Sequence, residues 1–233
     1  MLLGESAKDD MNSFQKFLPE TDIPGVRKAE QKRSQALLDK FTAAGRKVLL
    51  HTRLHDVSIP ALAKEAKSSV GGFYSRFESK EAFFEYLRMR MLQDHMALYH
   101  EDLEPERFKK ASRSAISEAT IDVMLKVFDG PWRGVLREAY AAIPEKPDSW
   151  APMNKRGQFV RERITQLYRP HFRDDTNLNQ RISVAVQLLF SALNNEMMNP
   201  HLAFRISDPV FRDYLIKTFD TTIAGRFASD RKE

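Results

Sequence analysis

The sequence predicts an all-helical protein, and three observations carry that reading. Apolar residues recur at helical spacing through nine separate stretches. No stretch shows the strict alternation of a half-buried strand. Capping residues and prolines sit at or near the ends of these stretches rather than in their middles.

The stretches are read in chain order. Residues 1–25 lack sustained periodicity and are interrupted by Pro19, Pro24 and Gly25, so residues 1–30 are expected to be a flexible arm. From Ser34 to about His51, Leu37, Phe41, Ala44 and Val48 form one stripe, widened by Leu38 and Leu49. A short helix follows at 58–66. Ser58 is its N-cap, Pro60 lies in the tolerant first turn, and Ile59, Leu62, Ala63 and Ala66 make its apolar face. A second short helix is expected at 69–77, with Val70, Phe73 and Phe77 facing inward. A long one runs from Ser79 to about His100, with Phe84, Leu87, Met91 and His95 on one face. Further helices are expected at 105–128 (Phe108, Ala111, Ala115 and Ala119 on one side), 131–143, 151–168, 178–198 and 209–227. Residues 144–150 read as a Pro-rich loop.

Composition narrows the function. The chain has 233 residues and no cysteine, which removes disulfides, thiolate metal sites and a thiol nucleophile. No run reaches the roughly 18 consecutive apolar residues of a membrane span. The N-terminal sequence shows no signal-like basic-then-apolar pattern, so a cytoplasmic location is expected. The net charge of +5 is unevenly placed, because residues 26–95 hold 14 Lys/Arg against 8 Asp/Glu. A basic segment attracts phosphate backbones through counterion release.

The three stretches at 34–51, 58–66 and 69–77 are joined by very short turns. The last two have the lengths of a helix-turn-helix, whose second helix enters the major groove. Gly71 and Gly72 inside so short a helix cost about 1 kcal/mol each relative to Ala. Close approach of the backbone to DNA or to the preceding helix would explain them, and a plain glycine turn is the alternative.

The run VSIPALAKEAKSSVGGFYSRFESKEAFF, residues 57–84, carries a Ser opening the first short helix and an Ala-Lys-Glu-Ala run. It continues with Ser69-x-Gly71-x-Phe73-Tyr74, then Phe77 and Ser79-Lys80-Glu81. With that spacing, residues 34–95 resemble the DNA-binding domain of TetR-family transcriptional regulators. The resemblance implies that Ser58, Tyr74 and Lys80 hold phosphates and that Ser69, Val70, Gly72 and Ser75 face bases. Gly71 goes with the same helix, Arg76 reaches a guanine or a phosphate, and Lys32 and Arg33, preceding the first helix, reach the minor groove or the DNA backbone. The family's small-then-apolar turn is replaced here by Lys67 and Ser68. Lys67 is read as an additional phosphate contact. The implied organisation is an arm to residue 30, a helix-turn-helix domain at 31–78, a connecting helix at 79–102, and a larger domain at 103–233 for ligand binding and dimerisation.

In that larger domain Met124, Phe128, Trp132, Arg137, Tyr140, Phe159 and Tyr168 are candidates to line an effector pocket, or simply a core. Val186, Leu189, Phe190, Leu193, Phe211, Leu215 and Phe219 lie on wide apolar stripes suited to a four-helix homodimer interface. A two-fold dimer would match a near-palindromic operator. The expected partners are double-stranded operator DNA, a second copy and a small-molecule effector. Repression is the commoner family mode. Effector binding would favour a conformation in which the recognition helices no longer match the grooves, with the 79–100 helix as lever.

Two other classes stay open. One is a ligand-independent DNA-binding or protein-interaction module. The other is a helical enzyme, for which His51 and His55 offer metal-ligand spacing but no third ligand, and no nucleophile or phosphate-loop motif accompanies them. No cofactor or resident metal is expected.

Overall fold

The computed structural model describes residues 22–27, 32–143, 150–199 and 201–225. The described residues form ten α-helices: α1 Lys32–His51, α2 Ile59–Glu65, α3 Val70–Tyr74, α4 Lys80–Asp102, α5 Pro105–Phe108, α6 Arg113–Phe128, α7 Arg133–Ala141, α8 Ala151–Tyr168, α9 Leu178–Met198 and α10 Pro209–Ala224. Two single 3-10 turns stand at Leu54–Asp56 and Arg169–His171. No helix among the described residues is long and apolar enough to cross a membrane.

The expected helix at 105–128 is in fact two. The Glu104 carboxylate accepts the Arg107 N–H at 3.1 Å and caps the single turn α5. Ser112 then opens α6 by accepting the Ala115 N–H at 3.2 Å. This second cap resets the register. The buried face of α6 is Ile116, Thr120, Val123, Met124 and Val127, while Ala115 is exposed and Ala119 half-buried. The alanine stripe was misleading because the larger Ile, Val and Met side chains remove more apolar surface from water.

The helices fall into two compact units. The first comprises residues 22–95 with 130–143 and 150–152; the second comprises 96–129 with 153–199 and 201–225. This differs from the expected division at 102/103 in two ways. Helix α4 gives residues 80–95 to the first unit and 96–102 to the second, and α7 packs with the first unit.

The first unit is built on Phe41, Phe73, Phe77 and Phe83, all fully enclosed. Their rings meet largely edge to face, with centroids 4.9 Å apart for Phe77–Phe83 and 5.5 Å for Phe41–Phe73. Edge-to-face pairs add stabilisation beyond burial alone. On α1 the enclosed side is Leu38, Phe41, Ala44, Gly45 and Leu49; Leu37 and Val48 are only half-buried.

Helix α7 docks on the C-terminal end of α1. An added Cβ on Gly134 would fall 2.2 Å from the Leu49 carbonyl oxygen, so the two backbones pack with no side chain between them. Around this point the Arg137 guanidinium donates to the carbonyls of Leu49 (2.9 Å), in the last turn of α1, and Thr52 (3.0 Å), just beyond it. The buried Glu138 carboxylate accepts the Leu54 N–H at 3.0 Å and pairs with Arg53 at 2.8 Å. The Trp132 indole N–H donates to Asp94 at 2.9 Å, and the Arg46 guanidinium lies 4.8 Å over its ring.

In the second unit α10 packs against both α9 and α6. Two bidentate ion pairs tie α6 to α10: Arg113–Asp220 (2.8 and 3.1 Å) and Arg212–Asp122 (2.7 and 2.9 Å). The enclosed Tyr168 hydroxyl lies 2.6 Å from the Ser117 hydroxyl, which also donates to Asp220. Burial raises the Tyr168 phenol far above its ordinary range, so it stays neutral.

Candidate nucleic-acid interface

The site is assembled from α2, the turn after it, and α3. The Ser58 hydroxyl accepts the Ala61 N–H at 3.3 Å and so starts α2, as its sequence position predicts. Leu62, Ala63 and Ala66 fix α2 to the aromatic core. The helix ends in a Schellman motif: the Ser68 N–H reaches the Ala63 carbonyl at 2.9 Å, and the Lys67 N–H reaches the Lys64 carbonyl at 3.0 Å. Lys67 occupies the left-handed position of that motif, with φ at 50°, which favours glycine.

A replacement follows from this geometry. Lys67→Gly relieves the left-handed strain and should raise stability by about 0.5–1 kcal/mol, after allowing for glycine's greater entropy loss. Thermal unfolding measures it, and a lowered melting temperature would show that the turn does not hold Lys67 under strain.

Helix α3 starts at Ser69, whose hydroxyl accepts the Gly72 N–H at 2.9 Å. Phe73 and, just past the helix, Phe77 anchor it inward. The opposite side is open: Val70 is 40% exposed and Tyr74 47%, and Ser69 and Gly71 are exposed as well. Val70 therefore does not share the inner face with Phe73, as the i, i+3 spacing suggested. The helix ends at Tyr74, one turn short of expectation. Its two glycines have different reasons. A Cβ on Gly72 would lie 2.5 Å from the Ser68 hydroxyl, so this glycine serves packing against the turn. A Cβ on Gly71 would meet nothing nearer than 3.8 Å, so its surface is free for an outside partner.

Lys32 and Arg33 do not precede α1; they form its exposed first turn. A cleft of about 480 Å³ brings Arg33 and Lys40 of α1 beside Ser68, Ser69, Gly72 and Arg76. Lys40 was missed by sequence reasoning, although its i+7 spacing from Arg33 places both on one helix face. Ser75 is half-buried and spends its hydroxyl on the Gly72 carbonyl at 2.7 Å. Lys80 also has an internal task. Its ammonium donates to the carbonyls of His55 (3.1 Å) and Val57 (3.2 Å) and so holds the loop before α2.

Residues 22–27 depart from the expectation of a flexible arm. Ile23 is buried, Val26 bridges to Phe77, and the Glu78 N–H donates to the Gly25 carbonyl at 2.9 Å. The rest of the expected arm, 1–21 and 28–30, lies outside the described residues. His51 ends α1 and His55 sits in a separate 3-10 turn, so the pair does not share a helix face. The described residues contain no group of three or more potential metal-ligating His, Cys, Asp or Glu.

This geometry has known counterparts. Residues 41–87 match the family model for bacterial regulatory proteins of the tetR family. Over that stretch the chain is similar to tetR-family proteins. No curated protein sequence matches it. Two solved structures share its fold. A structure assigned to TetR-family transcriptional regulators, from Mesorhizobium loti, aligns with TM-score 0.62 at 13% identity over 83% of this chain and 96% of that one. The TetR-family regulator PfmR from Thermus thermophilus aligns with TM-score 0.55 at 16% identity over 79% of this chain and 97% of that one.

The expected pocket residues are divided. Met124, Phe128, Phe159 and Tyr168 are core residues of the second unit, with the Tyr99 hydroxyl 3.5 Å from the Met124 sulfur. Trp132, Arg137 and Tyr140 belong to the first, where Trp132 and Arg137 are engaged by α1 and the Tyr140 ring lies tilted against Trp150 with centroids 4.8 Å apart. The expected dimer residues are mostly internal too. Val186, Leu189, Leu193, Leu215 and Phe219 are buried within the chain; Phe190 and Phe211 are half-buried. The outward apolar surface of α9 and α10 is carried instead by Leu188 (50% exposed) and Tyr214 (65% exposed). The residues chosen by periodicity thus fall mainly on the inner faces of α9 and α10.

Proposed function

We propose that this chain is a tetR-family transcriptional repressor that binds a near-palindromic operator as a homodimer and is released by a small-molecule effector. The observation that carries the reading is the open side of α3. Val70, Gly71 and Tyr74 project from a helix whose other side is locked by Phe73 and Phe77, beside the cations Arg33, Lys40 and Arg76. An α-helix with small and polar outward groups fits the major groove, and flanking cations neutralise phosphates. Ser69, Ser75 and Gly72 shape its leading edge, while Lys32 and Lys67 extend the basic rim. Ser58 and Lys80 serve first in folding, and any phosphate contact they make comes in addition to that.

Salt dependence tests the phosphate part. With Lys32→Gln and Arg33→Gln together, the slope of log affinity against log salt should shrink by roughly 1–2. An unchanged slope would remove the α1 terminus from the interface.

The dimer reading rests on the outward face of α9 and α10. Leu188, Ala192, Phe211, Tyr214, Thr218 and Thr222 border a shallow groove of about 210 Å³ there. Leu188→Glu with Tyr214→Glu should convert the dimer to monomer in sedimentation without unfolding it, since both side chains are exposed. A dimer that persists would place the interface elsewhere.

Effector action is a population shift. The effector must bind the operator-incompetent conformation more tightly than the competent one. Helix α4 contributes residues to both units and is the element through which we expect the shift to act.

A further inference from the structure

The second unit carries a groove that the DNA-binding reading does not use. It lies along α8 and the start of α9 and has a volume of about 800 Å³. Arg161, Arg169 and Arg173 line it, against a single carboxylate, Glu162. The Glu162 carboxylate accepts from the Gln158 side chain at 2.9 Å. Among the described residues no carboxylate pairs with Arg161 or Arg173. Arg169 is held in place by donating to the Asp175 carbonyl at 3.1 Å and to the Asn179 side-chain oxygen at 2.9 Å. Both acceptors are neutral, the Asp175 carboxylate acts on the guanidinium through space, and three of its five N–H groups remain for a ligand.

Elsewhere in this unit the guanidiniums of Arg113 and Arg212 are matched by carboxylates. The groove is thus a local departure from the unit's own pattern. Thr165, Gln166 and Ser183 add neutral hydrogen-bonding groups along its walls. Its volume falls within the range of small-molecule sites, roughly 300–1,000 Å³. Guanidiniums recognise carboxylate and phosphate oxygens through paired N–H donors.

We propose that this groove is a binding site for a small, multiply charged anion bearing carboxylate or phosphate groups. Arg169 is the preorganised anchor, and Arg161 and Arg173 close on the ligand from either side. The ligand would join the end of α8 to the beginning of α9. The site is separate from the DNA-contacting surface and does not depend on it.

The test is isothermal titration of the full chain, without DNA and at fixed ionic strength, with pyrophosphate in one arm and citrate in the other. The expected result is saturable binding of at least one of them, near one equivalent per chain; the arm that binds names the group recognised. Arg161→Gln with Arg173→Gln should weaken it by roughly tenfold or more, as expected for lost charge-assisted hydrogen bonds. A control pair, Lys64→Gln with Lys217→Gln, removes the same formal charge at exposed positions elsewhere and should leave binding unchanged. The proposal is overturned if neither anion binds saturably, if the arginine pair binds as the parent does, or if both pairs weaken equally.

Discussion

Replacing Gly134 by alanine should destabilise the first unit by about 3 kcal/mol or more, well beyond the usual effect of adding one methyl group to a helix. The new Cβ would stand 2.2 Å from the Leu49 oxygen, 2.3 Å from its carbon and 2.7 Å from the Leu50 nitrogen. These are backbone atoms, and no rotamer change relieves the overlap. Helix α7 must lift from α1, which breaks the Arg137 bonds to the Leu49 and Thr52 carbonyls and frees the buried Glu138 from the Leu54 N–H. The loss of a buried carboxylate's partners adds to the steric cost. Gly157→Ala is the matched control. Its Cβ meets only the flexible end of Arg161, at 3.4 Å, so the substitution should stabilise α8 by up to about 1 kcal/mol. Urea unfolding of both variants checks the pair. A Gly134→Ala cost under about 1 kcal/mol would mean that α7 is not seated on α1 as described.

Phe73→Ala should cost about 3–5 kcal/mol and abolish DNA binding with it. Phe73 is fully enclosed and meets Phe41 at 5.5 Å, Phe77 at 5.2 Å and Phe83 at 5.6 Å between centroids. It is also the only buried residue within α3. Removing the ring leaves a cavity at the centre of the aromatic cluster and releases the helix that presents Val70 and Tyr74. Phe73→Leu keeps much of the volume and should lose less stability. Denaturant unfolding and operator titration should therefore fall in step across the two variants. Retained operator affinity in a stable Phe73→Ala protein would contradict the role given to this anchor.

Much of the helical order was legible because capping and periodicity act locally. Ser58, Ser69, Ser79 and Ser112 each accept an N–H three residues on, and three of these starts were readable from the sequence. Ser112 was passed over because Phe108 and Ala111 extended a false stripe across it. The turn was legible in its departure, since the lysine that replaces a small residue at position 67 does adopt a positive φ. What could not be read were relations between distant segments. Nothing local marks Gly134 as the seat of α7 on α1, or ties Ile23 and Val26 to the end of the helix-turn-helix. Leu188 and Leu189 are adjacent identical residues on an apolar run of α9, so they look alike in sequence while one is half-exposed and the other buried. Lys80 shows a further limit: a cation at a helix start reads as a phosphate clamp, and nothing local reveals that its ammonium also donates to two carbonyls within the chain.

The central claim is that the open side of α3 reads operator DNA. The most direct measurement is a gel shift against the intergenic DNA upstream of the chain's own gene, with excess nonspecific competitor, comparing the native protein with Val70→Glu and Tyr74→Ala. Both positions are exposed, so folding should be retained and unfolding curves should superimpose. The account predicts a discrete native complex that survives competitor, and its loss in both variants, most completely where Val70→Glu sets a carboxylate against the DNA. Native and variant complexes of equal strength would contradict it, because α3 would then not be the element that meets the bases.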